Sequence, residues 1–169
     1  MRQRFTRRAD GRFELGLAAA ERELLRSLPQ QVQQLLADRA PAANRVFPVA
    51  YPDDPAAEAE YRQLMGPELL QSHRESLAVV TSTADADSID GSELHCWMDG
   101  LEVLRLVLGT QLDVQEGMDL PTGPVDGPDA DSPDAMRLAV YHYLTALQGE
   151  AVDALTSLLP DLGDPPEPG

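Results

Sequence analysis

Apolar positions along this chain change their period several times, and each change marks an element. Short alternating segments at residues 3–8 (QRFTRR) and 12–17 (RFELGL) flank Ala9, Asp10 and Gly11. Asp-Gly between alternating runs favours a tight reversal, because both residues accept positive φ. The pattern predicts a β-hairpin over 3–17, with Phe13, Leu15 and Leu17 on one face and Phe5 on the other. From Ala18 the spacing becomes helical: Leu24, Leu25, Leu28, Val32, Leu35 and Leu36 recur at i, i+3 and i+4. A helix over 18–38 follows, kinked or broken at Pro29, which lacks an amide and clashes one turn back.

Residues 40–55 contain Pro41, Pro48, Pro52 and Pro55 and read as a connector, with Phe47 and Tyr51 pinning it to the core. A helix over 56–65 then stops at Gly66-Pro67, and a second begins at Pro67 and runs to 83, with Leu69, Leu70, Leu77 and Val80 on its buried face. TADADSID is a loop. Asp90 and Glu93 form a capping box, Ile89 can staple to Leu94, and a helix over 91–111 follows. Its single stripe is Leu94, Trp97, Met98, Leu101, Leu104, Leu108 and Leu112. Residues 113–131 hold six acids and no cation and read as a solvated acidic loop. Ser132 caps a last helix over 133–159, with Val140, Tyr141, Leu144, Leu147, Val152, Leu155, Leu158 and Leu159 inward; residues 161–169 are a flexible tail.

These elements predict a mainly α protein: a compact helical bundle of about five helices with a short N-terminal β-hairpin, forming one domain over 1–160. At 169 residues and 43% hydrophobic content the chain is long enough to bury a core unaided by disulfide or metal. No run of 18 apolar residues suggests a membrane span, and the arginine-rich start is not followed by the apolar stretch of a signal peptide. Cys96 is the one cysteine, so an intrachain disulfide is impossible and a cytoplasmic location is expected.

Net charge is −16, yet the first 12 residues carry five arginines against one acid. An acidic body repels phosphate backbones and favours basic partners. Nucleic-acid contact is therefore expected only through the N-terminal arginines, Arg4, Arg7 and Arg8 among them, which are interleaved with Phe5.

Sequence motifs for chemistry are sparse. There is no HExxH, paired cysteine, calcium loop, GxSxG, phosphate-binding loop or GxGxxG, so neither metal nor cofactor is expected. His73 falls in the apolar stripe of Leu69, Leu70 and Leu77, where it is either a core histidine with a satisfied ring nitrogen or part of a site. His95 and His142 lie off their stripes. Arg105 sits about 20° from Leu94 on the helical wheel, inside the stripe of Met98 and Leu101. A guanidinium there is either paired with a carboxylate, for instance on the last helix, or is an anion or partner contact. Cys96 lies at the stripe's margin; it is either a small apolar residue or a redox-active thiol, although Glu93 and Asp99 nearby oppose a thiolate.

Taken together, RFTRRADGRFELGL, ERELLRSL, VFPVAYPDDPAAEAEYRQLMGPEL, WMDGLEVLRLVLGTQLDV and AVYHYLTALQGEAVDAL resemble the actinobacterial family of uncharacterised domains that includes the oxidative-stress transcriptional regulator AosR. The resemblance spans nearly the whole chain except the acidic loop and the tail. It implies a cytosolic helical protein acting through protein partners, such as a sigma factor, in transcription linked to oxidative stress. The redox-sensing member uses an intramolecular cysteine pair, which this chain, with Cys96 alone, cannot form.

The expectation is a non-enzymatic regulatory adaptor with a protein partner and a possible homodimer. Two rivals remain open: a small enzyme or ligand-binding protein with a site assembled around Arg105 and His73, and a DNA-binding protein using the N-terminal hairpin.

Overall fold

A computed structural model describes residues 3–112 and 131–160 of the chain. The acidic segment predicted to be a loop, apart from Asp131, and the predicted tail lie outside the described residues. The described residues are 71% helical, which makes the protein mainly α. Strands β1 (Phe5–Arg7), β2 (Phe13–Leu15) and β3 (Ser88–Ile89) form an antiparallel sheet in that order. The helices are α1 (Ala19–Ala37), a 3-10 helix (Pro41–Val46), α2 (Pro55–Thr83), α3 (Gly91–Gln111) and α4 (Pro133–Thr156).

The hairpin forms where expected, with two corrections. Phe5 pairs directly with Leu15. Residues facing each other across an antiparallel pair share a face, so Phe5 points with Phe13, Leu15 and Leu17 into the core rather than away from it. Of the two turn residues only Gly11 takes positive φ, at 81°; Asp10 instead accepts the Arg12 amide through its side chain at 3.0 Å. The sequence also hid β3, inside the segment read as a loop. Two residues are too few to show alternation, and Ser88–Ile89 become a strand because β2 offers a free edge, Glu14 pairing with Ser88 and Phe13 with Ile89.

Neither internal proline breaks its helix. Pro29 is itself buried beside Leu25, Val32 and Leu36, so packing along that face offsets the one lost backbone bond. The predicted stop at Gly66-Pro67 is absent as well, and α2 is one helix of 29 residues. The residue before a proline is normally driven out of the helical region by its own Cβ and amide against the proline ring. Gly66 has no Cβ, which removes part of that clash. Capping then sets the ends. Asp54 accepts from the amides of Ala56 and Ala57, Asp90 and Glu93 exchange 2.8 Å bonds, and Ser132 accepts from Ala135.

Helix α3 is the centre of the bundle, packed by α1, α2, α4 and the 3-10 helix. Its burial therefore covers far more than the predicted stripe: Gly100, Val103, Val107 and Gly109 are buried, while Met98 is only partly so. Helix α4 departs from expectation at its end. It stops at Thr156, Val152, Leu158 and Leu159 are exposed, and the small residues Ala151 and Ala154 are buried in their place. Small side chains let α4 approach closely there, which a reading weighted by residue size does not anticipate.

The N-terminal strand is tied to the helices by charge. Arg4 donates to Glu21 and Glu150 at 2.6 Å each, and its guanidinium lies over the Tyr143 ring, 5.3 Å from the centroid. Burial pushes the Glu21 carboxyl up, but the Ala18 amide and Arg4 outweigh it, and the net shift is downward. Glu58 is also lowered, chiefly by the Tyr51 amide, with partial burial opposing and Arg62 assisting. A carboxyl whose folded pKa is depressed contributes stability above its unfolded pKa and loses it as pH falls through the folded value. Unfolding free energy is thus expected to be flat near neutrality and to fall below about pH 4.5. Arg4→Ala should shrink the part of that decline due to Glu21, as urea titrations at stepped pH would show; an acid limb unchanged by the substitution would refute the assignment.

Candidate functional site

A cleft among the described residues begins at the C-terminus of α1. Asp38 caps the helix, Arg39 enters the left-handed region at φ 48°, and the amides of Arg39 and Ala40 return to the carbonyls of Leu36 and Leu35. This is the helix-ending arrangement in which glycine usually stands at the left-handed position. Pro41 then starts the 3-10 helix with its φ already set. Ala43 and Val46 bury against the core, and half-buried Phe47 meets the His73 ring edge-on, with centroids 6.0 Å apart. The segment after it is held by one carboxylate. Glu58 accepts from the amides of Ala50 and Tyr51 at 2.9 and 2.8 Å, and from Arg62 Nε at 2.8 Å.

Helix α2 supplies the opposite wall. Between positions 55 and 75 its one buried residue is Glu58; the buried apolar contacts come later, at Leu77 and Val80. Its first half therefore lies beyond the bundle's core and faces the connector instead. Between the two is an open cleft of about 470 Å³, with Phe47, Pro48 and Val49 on one side and Tyr61, Met65 and Leu69 on the other. Val49, Leu64 and Met65 are 53%, 69% and 43% exposed, so apolar surface faces solvent at and beside the cleft. Tyr51 does not pin the connector as expected. It is half exposed against Tyr61, and Ala43 and Val46 are the anchors.

The charge at this cleft is opposite to that of the chain. Its charged lining consists of Arg39 and Arg62, the latter paired to Glu58, although the chain has 29 acids against 13 arginines.

The residues singled out from sequence lie elsewhere and do not converge. Arg105 sits at the seam of α3 and α4. It bonds to Glu102 on its own helix at 3.1 Å and to Thr145 and Gln148 on α4, and it lies over the Tyr141 ring. Its carboxylate is thus one turn away and not on the last helix. His73 lies on α2 with Nε2 3.2 Å from the Val46 carbonyl, which it can reach only as a donor. Burial lowers its pKa and favours the neutral ring. Among the N-terminal arginines, Arg4 is held by Glu21 and Glu150, Arg7 by the Ser157 carbonyl, and Arg8 loosely by Asp10 at 3.7 Å. Arg12 bonds to Ser88.

Cys96 is partly buried. That burial first, and then the charges of Asp99, Asp90, Glu75 and Glu93, push its thiol above the ordinary 9.0. A smaller thiolate fraction means slower alkylation. Iodoacetamide at neutral pH is expected to modify Cys96 more slowly than a free cysteine under the same conditions; a faster rate would contradict this electrostatic account. No group of three histidine, cysteine, aspartate or glutamate side chains able to hold a metal ion occurs among the described residues. No helix among them is long and apolar enough to cross a membrane.

Sequence reasoning missed the cleft because its walls were read as a connector and a helix interruption. The available signal was Tyr61, Leu64 and Met65, apolar residues that needed an explanation once α2 is a single helix.

No curated protein and no solved structure matches this chain. The model of one family does match, over residues 1–155, and the chain accordingly belongs to that family, a domain of unknown function (DUF2017).

Proposed function

We propose that this protein is a non-enzymatic regulatory adaptor working in the cytoplasm, which binds a protein of the transcription machinery, such as a sigma factor, in a response linked to oxidative stress. The observation that carries the reading is the open apolar cleft between the 3-10 helix and the first half of α2. Exposed apolar surface of this kind marks interaction sites, and here it lies against a wall anchored by Glu58 rather than on a loose loop. The resemblance in sequence supplies the biological setting. With Cys96 as its one cysteine the chain cannot switch by closing an internal disulfide, so binding is the transferable part of that resemblance. Support for the rivals is weaker. Arg105 is bonded at the α3–α4 seam and His73 to the Val46 carbonyl, with no partner in common, and Arg4, Arg7 and Arg12 are engaged within the fold.

Photo-crosslinking in living cells tests the proposal. A photoreactive residue placed at Val49 or Leu64 is expected to capture a transcription component, and one at the exposed Glu23 on α1 is not. Capture of no transcription component from either cleft position would overturn the reading.

A further inference from the structure

We infer that the cleft takes a short partner segment in which apolar side chains alternate with aspartate or glutamate, and that Arg39 is its anion contact. The inference rests on the proposed protein-binding role and names the chemistry of the partner.

Three observations point the same way. First, the cleft's charged lining is Arg39 and Arg62 in a strongly acidic chain; Arg62 is paired to Glu58, which leaves Arg39 as the cation open to a partner. Like charge along a cleft selects against partners of that charge and favours opposite charge. Second, the arginines differ in their partners. The guanidinium groups of Arg4, Arg7, Arg8, Arg12, Arg22, Arg26, Arg62, Arg105 and Arg137 all have carboxylate, hydroxyl or backbone carbonyl partners. Arg39, Arg45 and Arg74 have none among the described residues, and of these three Arg39 lines the cleft.

Third, Arg39 occupies a backbone position that suits glycine. It is the one non-glycine residue with positive φ among the described residues. Such conformations are costly and concentrate where function requires the side chain. Here the left-handed turn places a guanidinium at the cleft. The walls beyond it, Phe47 and Val49 facing Tyr61 and Met65, are apolar. About 470 Å³ accommodates a few side chains, the scale of a linear segment and not of a domain face.

The test uses the intact chain and three fluorescent peptides read by anisotropy. One alternates leucine and phenylalanine with aspartate and glutamate, one has lysine at the acidic positions, and one has serine at the apolar positions. The acidic apolar peptide is expected to bind at least about tenfold more tightly than either control, since a charge-assisted bond and the apolar contacts are each worth that much. Arg39→Gly should weaken it on the order of tenfold while raising the unfolding midpoint, and Arg39→Lys should lose less. Met65→Asp should abolish binding, and Arg137→Gly, on α4, should leave it unchanged.

Equal or tighter binding of the lysine peptide would overturn the acidic assignment while leaving protein binding intact. Binding of none of the three, together with silent crosslinking from Val49 and Leu64, would remove both readings. Self-association in sedimentation that Met65→Asp abolishes would give the cleft to a second copy. A probe that binds only after the five acids of residues 113–130 are neutralised would give it to the chain's own segment. Either result overturns the inference.

Discussion

Replacing Trp97 with alanine is expected to lower the free energy of unfolding by about 3–5 kcal/mol, the range for removing a large buried aromatic side chain. Trp97 is fully buried at the meeting of α2, α3 and the sheet. Its ring meets Phe5 edge-on, at 5.6 Å and 85°, so it packs the first strand onto the central helix. Its Nε1 donates to Thr83 Oγ1 at 2.8 Å, while the Thr83 hydroxyl itself donates to the Val79 carbonyl. Alanine removes the ring and the donor together and leaves a cavity that flanking helices cannot fill without moving. Trp97→Phe keeps a ring but loses the donor, and should cost less. Urea unfolding with an unchanged slope and a lowered midpoint would register both; a loss below about 1 kcal/mol for the alanine variant would mean the site collapses freely, contrary to normal core behaviour.

The second large effect is expected at Gly100, where adding one carbon should destabilise. A Cβ at this position would lie 2.9 Å from Val80 Cγ2 and 3.2 Å from the Ser76 carbonyl oxygen. Val80 is fully buried and the Ser76 contact is backbone, so neither neighbour yields cheaply. Helix propensity favours alanine by about 1 kcal/mol, while overpacking a tight core typically costs about 1–3 kcal/mol. The steric effect should win, and Gly100→Ala should lose stability. Gly149 provides the internal control. A Cβ added there, on α4, would meet nothing within 4 Å, so Gly149→Ala should gain about 0.5–1 kcal/mol. Should both substitutions stabilise, close approach of α2 and α3 at Gly100 would be disproved.

Much of the helical architecture was legible because it is written locally. The capping box at Asp90 and Glu93 and the Ser132 cap each depend on residues within one turn. The prolines were misread for the opposite reason. Pro29 and Pro67 each weaken a helix in isolation, and whether the helix survives depends on what lies against it or on a neighbour such as Gly66. The candidate site was the least legible part. Its position follows from the left-handed backbone of Arg39 and from the first half of α2 lying beyond the core, and neither leaves a periodic trace.

By itself, the amino-acid order determined the mainly helical class, the N-terminal hairpin, most helix starts and the impossibility of an internal disulfide. Those properties arise from spacing, capping and composition within a few residues. Only the tertiary structure decided that α3 is enclosed by the other helices, that Ser88–Ile89 adds a strand, and that Arg4 is spent on Glu150 at the far end of the chain. It also decided that Arg39, whose side chain has no partner among the described residues, lines an apolar cleft. Such pairings join residues tens to more than a hundred positions apart, and their free energy depends on what burial brings together, a quantity no local pattern encodes.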